Sequence, residues 1–461
     1  MPFTDHPRMA SLTFHGGVNE IGGNKILLED GGTRLWFDFG QSFTMGQEYY
    51  INYLQPRRSN GLKDYFEFNL LPRVEGLYSE GALSGTALSY CEPGFQGVFI
   101  SHAHFDHVNH ICFLDPRIPV FTGKGTKLFM EAMEQTSPYA SYGERDYRGF
   151  RTGDVVKVDG VEVEPIHVDH SIPAAYGYIV RLPEATVVYT GDMRAHGPRA
   201  DMTQEFLEAA AYSEPDVMIC EGTRMARRGR RRNLTEAQVE QGVKKVCREA
   251  DAGGKAVIYT HPGRDMDRLR TFHRAAESCG RVMVINPKTA HLLNRLIEDE
   301  HLDLPDPRTD DLIRVFYKRK KSGSYDDRDY YVWERPYLDR IITSEEVHRD
   351  QADYLVSLDF YSFAELIDIR PEPGSYFIYS MSEPFTEEDL EETVLHNWLK
   401  HFGLSYHQLH ASGHMSPKEL GEAVNMVKPD TLIPVHSEEP ELFRKHYKSV
   451  KLPRLGEALT F

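Results

Sequence analysis

The run SHAHFDHVNH, Ser101 to His110, gathers four histidines and one aspartate into ten residues. Imidazole at that density serves no packing purpose in a loop; it is the composition of a metal site. The cluster follows the apolar stretch GVFI, so His102, His104, Asp106 and His107 stand just past a strand end. Residues two apart there can point the same way, which lets His102 and His104 chelate one cation while Asp106 and His107 turn toward a second. Nitrogen and carboxylate donors without a thiolate suit two zinc ions, or manganese where more oxygen ligands join. The chemistry of such a pair is metal-assisted hydrolysis.

A dinuclear site needs further ligands, and three candidates also sit at strand ends. His170 follows the alternating stretch VEVEPIHV, Asp192 ends VVYTGD, and His436 ends TLIPV. Asp192 is the natural bridging carboxylate. Asp38, at the end of TRLWFDF, is expected to orient ligands or the bridging water without binding metal itself. His110 and His167 fall outside the pattern and read as polar loop or core residues.

The elements that must position these side chains change character along the chain. The first part reads as β-rich: NKILLE, the turn Asp30-Gly31-Gly32 and TRLWFDF form a strand–turn–strand signal. From about residue 215 strands alternate with helices. VMICEG precedes a helix opened by Thr235 and Gln238 in capping-box spacing. KAVIYTH, a helix near 264–278, RVMVIN, a helix near 288–299, then GSYFIYS and a helix from about Thr386 to His401 follow, the pattern of a parallel sheet covered by helices. Ser416 and Glu419 open one more helix near the end. Long loops are expected from Gln41 to Gln96 and from His301 to Gln351. No internal repeat is present.

The chain is 461 residues long, 40% hydrophobic and 27% charged, the composition of an ordinary soluble protein with a sizeable core. The start lacks the basic and apolar regions of a secretory leader, and five scattered cysteines without a CxxC pair argue against a disulfide framework. A cytoplasmic location and no membrane partner are expected. The net charge of -17 argues against a polyanionic partner at first sight. The basic residues are concentrated, however. RMARRGRRR (224–232) carries six arginines in nine positions, and KRKK (318–321) adds a second block. Each reads either as a solvated loop or as a phosphate-binding patch.

Taken in order, Asp38, His102 to His107, His170 and Asp192 resemble the first four motifs of the metallo-β-lactamase fold. Between Asp192 and His436 stands the strand–helix stretch, and this arrangement resembles the β-CASP family of nucleic-acid-processing nucleases, in which a second domain is inserted into that fold. Three further motifs of the family have matches: Glu221 in ICEGTR, His414 in HASGHMS and His436 in PVHSE. GGVNEIGGNK, DHSIP and the ASGH loop are similar to the ribonuclease J members. The chain ends soon after His436, so it is expected to be a short form without their C-terminal domain. Their Ser/Gly phosphate loop is not evident, and YSMSEPF (379–385) is the stretch that would stand in its place.

The resemblance implies an α/β architecture: a metallo-β-lactamase αββα sandwich with an inserted β-CASP domain of parallel sheet and flanking helices. The expected division is 1–210 for the first part of the sandwich, 211–402 for the insert and 403–461 for its completion. It also implies a ribonuclease that hydrolyses phosphodiester bonds with a hydroxide bridging two zinc or manganese ions, with 5′-3′ exonuclease and endonuclease modes both open. A histidine at the last motif goes with RNA in this family, and the expected partner is single-stranded RNA; a homodimer stays open. His414 is expected to protonate the leaving oxygen with Glu221 holding its ring, while Asp106 accepts a hydrogen bond from the attacking water. Ser412 and Arg224 are expected to bind substrate phosphates, and Tyr142, Tyr147, Tyr317, Tyr325 and Tyr330 are candidates to stack bases. The alternative is a DNA nuclease of the same branch acting in repair or defence. An inactive scaffold would lack ligands, and a small-molecule hydrolase would leave the insert and the arginine run unexplained.

Overall fold

The computed structural model describes residues 10–51, 54–137, 140–226, 234–382 and 390–461. Alternation in the N-terminal strands is two-sided burial. Leu35 and Phe37 face one way and Trp36 the other, and all are buried; in Gly97–Ile100, Phe99 lies on the side of Phe37 while Val98 and Ile100 lie on the side of Trp36. Gly31 and Gly32 both take positive φ, 56° and 100°, the conformation a two-residue hairpin turn requires, and they bring Asp30 opposite Thr33.

Seven strands form the first sheet, in the order Ala458–Thr460, Ser11–Phe14, Ile26–Asp30, Thr33–Phe37, Gly97–Ile100, Val120–Gly123, Tyr147–Phe150. Six form the second: Thr431–Val435, Val217–Glu221, Thr186–Tyr189, Tyr176–Arg181, Val161–His167, Val156–Val158. Their inner faces share one core that includes Phe14, Leu28, Phe37, Phe99, Phe121, Tyr178, Val187 and Ile219, where the Phe99 and Phe121 rings stack with centroids 4.6 Å apart. The outer face of the second sheet packs Ile179, Val188, Met218 and Leu432 against helices Ala200–Tyr212 and Pro417–Val427. The outer face of the first sheet joins a core that takes in Phe129 and Met130 of helix Lys124–Thr136. This is the αββα sandwich expected from the sequence.

A third sheet of seven strands is parallel throughout: Ile341–Ile342, Ile313–Phe316, Val282–Ile285, Tyr354–Ser357, Val257–Thr260, Tyr376–Tyr379, Ser405–Gln408. Helices Glu236–Asp251, Met266–Cys279 and Pro287–Leu296 cover one face; Ser344–Arg349, Leu366–Ile369 and Leu390–Phe402 cover the other. The capping boxes at Thr235/Gln238 and Ser416/Glu419 are both formed. Two strands lie across the expected boundaries. Val217–Glu221 pairs with strands of the second sheet, and Ser405–Gln408 pairs with Tyr376–Tyr379 of the third.

The stretch from His301 to Gln351 is not a plain loop, since it supplies two strands of the third sheet and a capped helix. The strands, four and two residues long, are too short for periodicity to announce them. No helix among the described residues is long and apolar enough to cross a membrane, and all five cysteines are free thiols.

Candidate metal centre

Parallel pairing brings the carboxyl ends of Thr33–Phe37 and Gly97–Ile100 side by side in the first sheet, and those of Thr186–Tyr189, Val217–Glu221 and Thr431–Val435 in the second. Asp38, Ser101, Asp192, Glu221 and His436 lie at or just beyond these ends. A short turn of helix, Phe105–Val108, then folds Asp106 and His107 back toward the same point. Glycine makes this possible. A Cβ on Gly40 would lie 1.8 Å from the Asp106 carbonyl oxygen, and one on Gly22 would lie 2.6 Å from the Asp106 Cβ.

Two groups of donors result. His102, His104, His170 and Asp192 form one, and Asp106, His107, Asp192 and His436 form the other, each with its donor atoms within 4.8 Å of one another. In the first group Nδ1 of His104 lies 3.0 Å from Nε2 of His102 and 3.1 Å from Nε2 of His170. In the second, Oδ2 of Asp106 lies 3.0 Å from Nε2 of His436, and Oδ2 of Asp192 lies 3.2 Å from Nε2 of His107. Asp192 is common to both. Nitrogens and oxygens at about this spacing could surround a cation that takes bonds of about 2.0–2.2 Å.

In four of the five histidines the ring nitrogen pointing away from the group has a partner elsewhere, which orients the ring. Nδ1 of His102 meets the Ser101 hydroxyl at 3.1 Å, and Nδ1 of His107 meets Asp38 at 2.7 Å. Nδ1 of His170 donates to the Gly413 carbonyl at 2.6 Å, and Nδ1 of His436 meets the Thr223 hydroxyl at 2.8 Å. Asp38 itself accepts from the backbone N–H and hydroxyl of Ser101 and from the Tyr189 hydroxyl, which in turn accepts from Asn24. Asp38 thus lies outside both donor groups and contacts the His107 ring from behind. Ser101, Tyr189 and Thr223 escaped the sequence reading, although each lies one to three residues from a motif residue.

Electrostatics separates the two groups. Burial keeps His102 and His170 well below the usual histidine range. Burial and the charge of Arg264 hold His104 at about 4 against the pull of Asp106. These three rings are neutral and offer lone pairs. His107 is also buried, yet Asp192, Asp38 and Asp106 together push it well above that range, and His436 is raised by Asp192 and Asp106. Positive charge is therefore favoured in the second group, and a cation can take the place of the protons. Buried Nε2 of His107 and Oδ1 of Asp192 have no hydrogen-bond partner among the described residues. The donor set fits divalent ions.

Beside the cluster, Nδ1 of His414 lies 3.6 Å from Oε1 of Glu221 and 3.9 Å from Oδ2 of Asp192. His414 is 20% exposed at its side chain while Glu221 is buried, so the ring is the part that solvent reaches. The Ser412 hydroxyl accepts the His414 N–H at 3.2 Å and closes the turn, and a guanidinium nitrogen of Arg224 approaches the His414 carbonyl at 3.4 Å.

A pattern described as "Beta-lactamase superfamily domain" matches residues 87–262. Ribonuclease J of Sinorhizobium meliloti is 25% identical over 358 residues, covering 75% of this chain and 58% of that one. Ribonuclease J of Helicobacter pylori is 20% identical over 439 residues, covering 93% and 56%, and Ribonuclease J 2 of Streptococcus pyogenes is 21% identical over 440 residues, covering 93% and 69%. The chain is a metallo-β-lactamase-fold protein similar to ribonuclease J. It spans under three fifths of the length of the first two relatives. A crystal structure of a protein of unknown function from Enterococcus faecalis shares the fold of this ribonuclease J-like chain, with a TM-score of 0.78, 24% identity, and coverage of 98% of this chain and 100% of that one.

A cavity of about 950 Å³ lies between helix Lys124–Thr136 and the carboxyl ends of the third sheet, lined by Arg264, Lys318, Lys320, Tyr331, Trp333 and Ser362 among others. Three side chains of the KRKK block have partners within the protein, while Arg319 and Lys321 stay exposed. Lys318 donates to Ser362, Arg319 pairs with Glu345, and Lys320 pairs with Glu334. Residues 227–232 of the arginine run lie outside the described residues, as do residues 383–385 of YSMSEPF. Of the tyrosines proposed to stack bases, Tyr142 is buried in the hydrophobic core, and Tyr317 and Tyr330 are largely buried with an edge on the cavity. His110 packs edge-on against Tyr65, and His167 stacks on Tyr176; neither belongs to a donor group.

Proposed function

We propose that the chain is a metal-dependent nuclease that hydrolyses phosphodiester bonds of single-stranded RNA, with two zinc ions, or manganese in their place, held by His102, His104, His170, Asp192, Asp106, His107 and His436. The observation that carries this reading is the sharing of Asp192 between two four-residue donor groups, with His414 at their edge. Similarity to ribonuclease J chains supports RNA as the polymer. Divalent ions bound there supply Lewis acidity toward water and toward a phosphate oxygen.

The chain's own residues do the rest. Asp38, Ser101, Thr223 and Gly413 hold the ligand rings, so little reorganisation accompanies the reaction. Asp106 has a carboxylate at the site able to accept a hydrogen bond from the attacking water. As the water oxygen bonds to phosphorus, the bond from phosphorus to the 3′-oxygen breaks and that oxygen needs a proton. His414 delivers it from Nε2, with Nδ1 turned to Glu221. The products are a 5′-phosphate and a 3′-hydroxyl, and the ribose 2′-hydroxyl takes no part. Ser412 and Arg224 are read as contributing to phosphate binding through the loop they brace. The inserted domain, expected at residues 211–402, is read as running from helix Glu236–Asp251 to strand Ser405–Gln408, with the cavity at its sheet ends facing the sandwich.

The test uses matched RNA and DNA single strands labelled at either end and incubated with chain reconstituted with zinc or manganese. Cleavage of RNA leaving 5′-phosphate termini is expected. Cleavage of DNA alone would overturn the RNA assignment.

A further inference from the structure

The loop that carries His414 is held at four successive carbonyls by four different side chains. Arg268 donates to the Ala411 oxygen at 3.1 Å, His196 to the Ser412 oxygen at 3.0 Å, His170 to the Gly413 oxygen at 2.6 Å and Arg224 to the His414 oxygen at 3.4 Å. The next residue is tied through its nitrogen, since the Met415 N–H donates to the Met193 carbonyl at 2.9 Å. Irregular backbone is ordinarily the most mobile part of a fold; here almost no free carbonyl is left to it.

Two of these anchors come from one segment. Met193 and His196 lie one and four residues after Asp192, so the segment that supplies the shared carboxylate also grips the loop that supplies the proton donor. His196 is buried and is itself fixed at its other nitrogen, which lies 3.2 Å from Glu419. Glu419 is held by the capping box of helix Pro417–Val427. On the other side the His196 carbonyl receives the Glu236 N–H at 3.4 Å, and the Glu236 carboxylate takes Arg268 at 2.7 Å, the side chain that holds Ala411. Around the loop runs a closed ring of contacts: His196, Glu236, Arg268, Ala411, Ser412 and back to His196.

We infer that His196 is a positioning residue that sets His414 in register with Asp192. The inference rests on the proposed role of His414 as proton donor. His196 reaches no donor group itself, and the contact of His170 with the neighbouring Gly413 carbonyl does not involve it, so its removal is expected to act on proton delivery rather than on metal binding. The leaving oxygen of RNA needs that proton, whereas a p-nitrophenyl leaving group departs as a stable anion and does not.

The experiment compares wild type, His196→Ala, His196→Gln and His414→Ala on an RNA oligomer and on the p-nitrophenyl ester of a nucleoside 5′-phosphate, with bound metal measured for each. For His196→Ala the expected result is an RNA kcat lowered about 10- to 100-fold, aryl-ester hydrolysis within about twofold of wild type, and unchanged metal content. Gln, whose amide N–H reaches the same carbonyl, restores most of the RNA rate. Amide exchange across residues 412–416 rises at least about threefold in the Ala variant and not in the Gln variant. Equal losses on both substrates, or no loss on RNA, would overturn the inference while leaving the donor role intact if His414→Ala still discriminates between them. If His414→Ala lowers both rates equally, the donor role fails and this inference with it. A wild-type chain that hydrolyses only the aryl ester overturns the RNA reading as well.

Discussion

Nδ1 of His107 lies 2.7 Å from Oδ2 of Asp38, and neither side chain is exposed to solvent. Through this contact the hydrogen bonds from Tyr189 and Ser101 reach the second donor group. Asp38→Asn keeps the volume but removes the charge that supports the His107 ring. Affinity for one of two metal equivalents is expected to fall about 10- to 100-fold, measured by competition with a chromophoric chelator, while the other equivalent binds as in wild type. Tyr189→Phe, which removes one of several donors to Asp38, should lower it less.

His414 stands outside both donor groups. His414→Ala is therefore expected to keep full metal content and to lose about 10²- to 10⁴-fold in kcat on RNA, with KM nearly unchanged. Elemental analysis beside steady-state kinetics checks this; loss of metal in proportion to activity would make His414 a ligand instead.

Gly40 gives the clearest steric prediction. A methyl group there collides with the Asp106 main chain, 1.8 Å from its carbonyl oxygen, where no flexible side chain can yield. Gly40→Ala is expected to cost about 1–3 kcal/mol in urea unfolding of the metal-free chain, and to weaken metal binding because the Phe105–Val108 turn must move.

The metal-free chain should also lose stability in mild acid. Burial holds His15, His167 and His261 at about 4 and His410 at about 3. Unfolded, each binds a proton near 6.5. Between these values the unfolded chain carries more protons, so their contribution is complete above about pH 6.5 and is lost as pH falls toward 4. Asp265, raised by burial to about 7, and Asp169, raised to about 6, act in the opposite sense over part of this window. The four histidines outnumber them. Thermal melting should show a lower Tm at pH 4.5 than at pH 7; an unchanged or higher Tm would contradict the balance.

The convergence of the donor residues was legible because most stand just past an apolar strand, where parallel strands bring their carboxyl ends together. His436 could be grouped with His102 across hundreds of residues for that reason. The supporting hydroxyls could not. Tyr189, Ser101 and Thr223 look like ordinary strand or loop residues until sheet register sets them against Asp38 and His436. Tyr142 proved to be a core residue because a tyrosine serves equally as core and as surface, and composition does not say which. The KRKK block looked free because its partners Glu334 and Glu345 lie beyond it in stretches with no visible periodicity. The same short, irregular strands hid half of the edge of the third sheet.

Two ions sharing Asp192 are proposed to drive hydrolysis of RNA, and titration of the metal-free chain with zinc or manganese, with cleavage of an end-labelled RNA followed, tests this most directly. Negligible activity is expected without metal, then a rise that continues to two equivalents and a plateau beyond them, with Asp192→Asn inactive throughout. A plateau at one equivalent, or full activity in the presence of excess chelator, would contradict it.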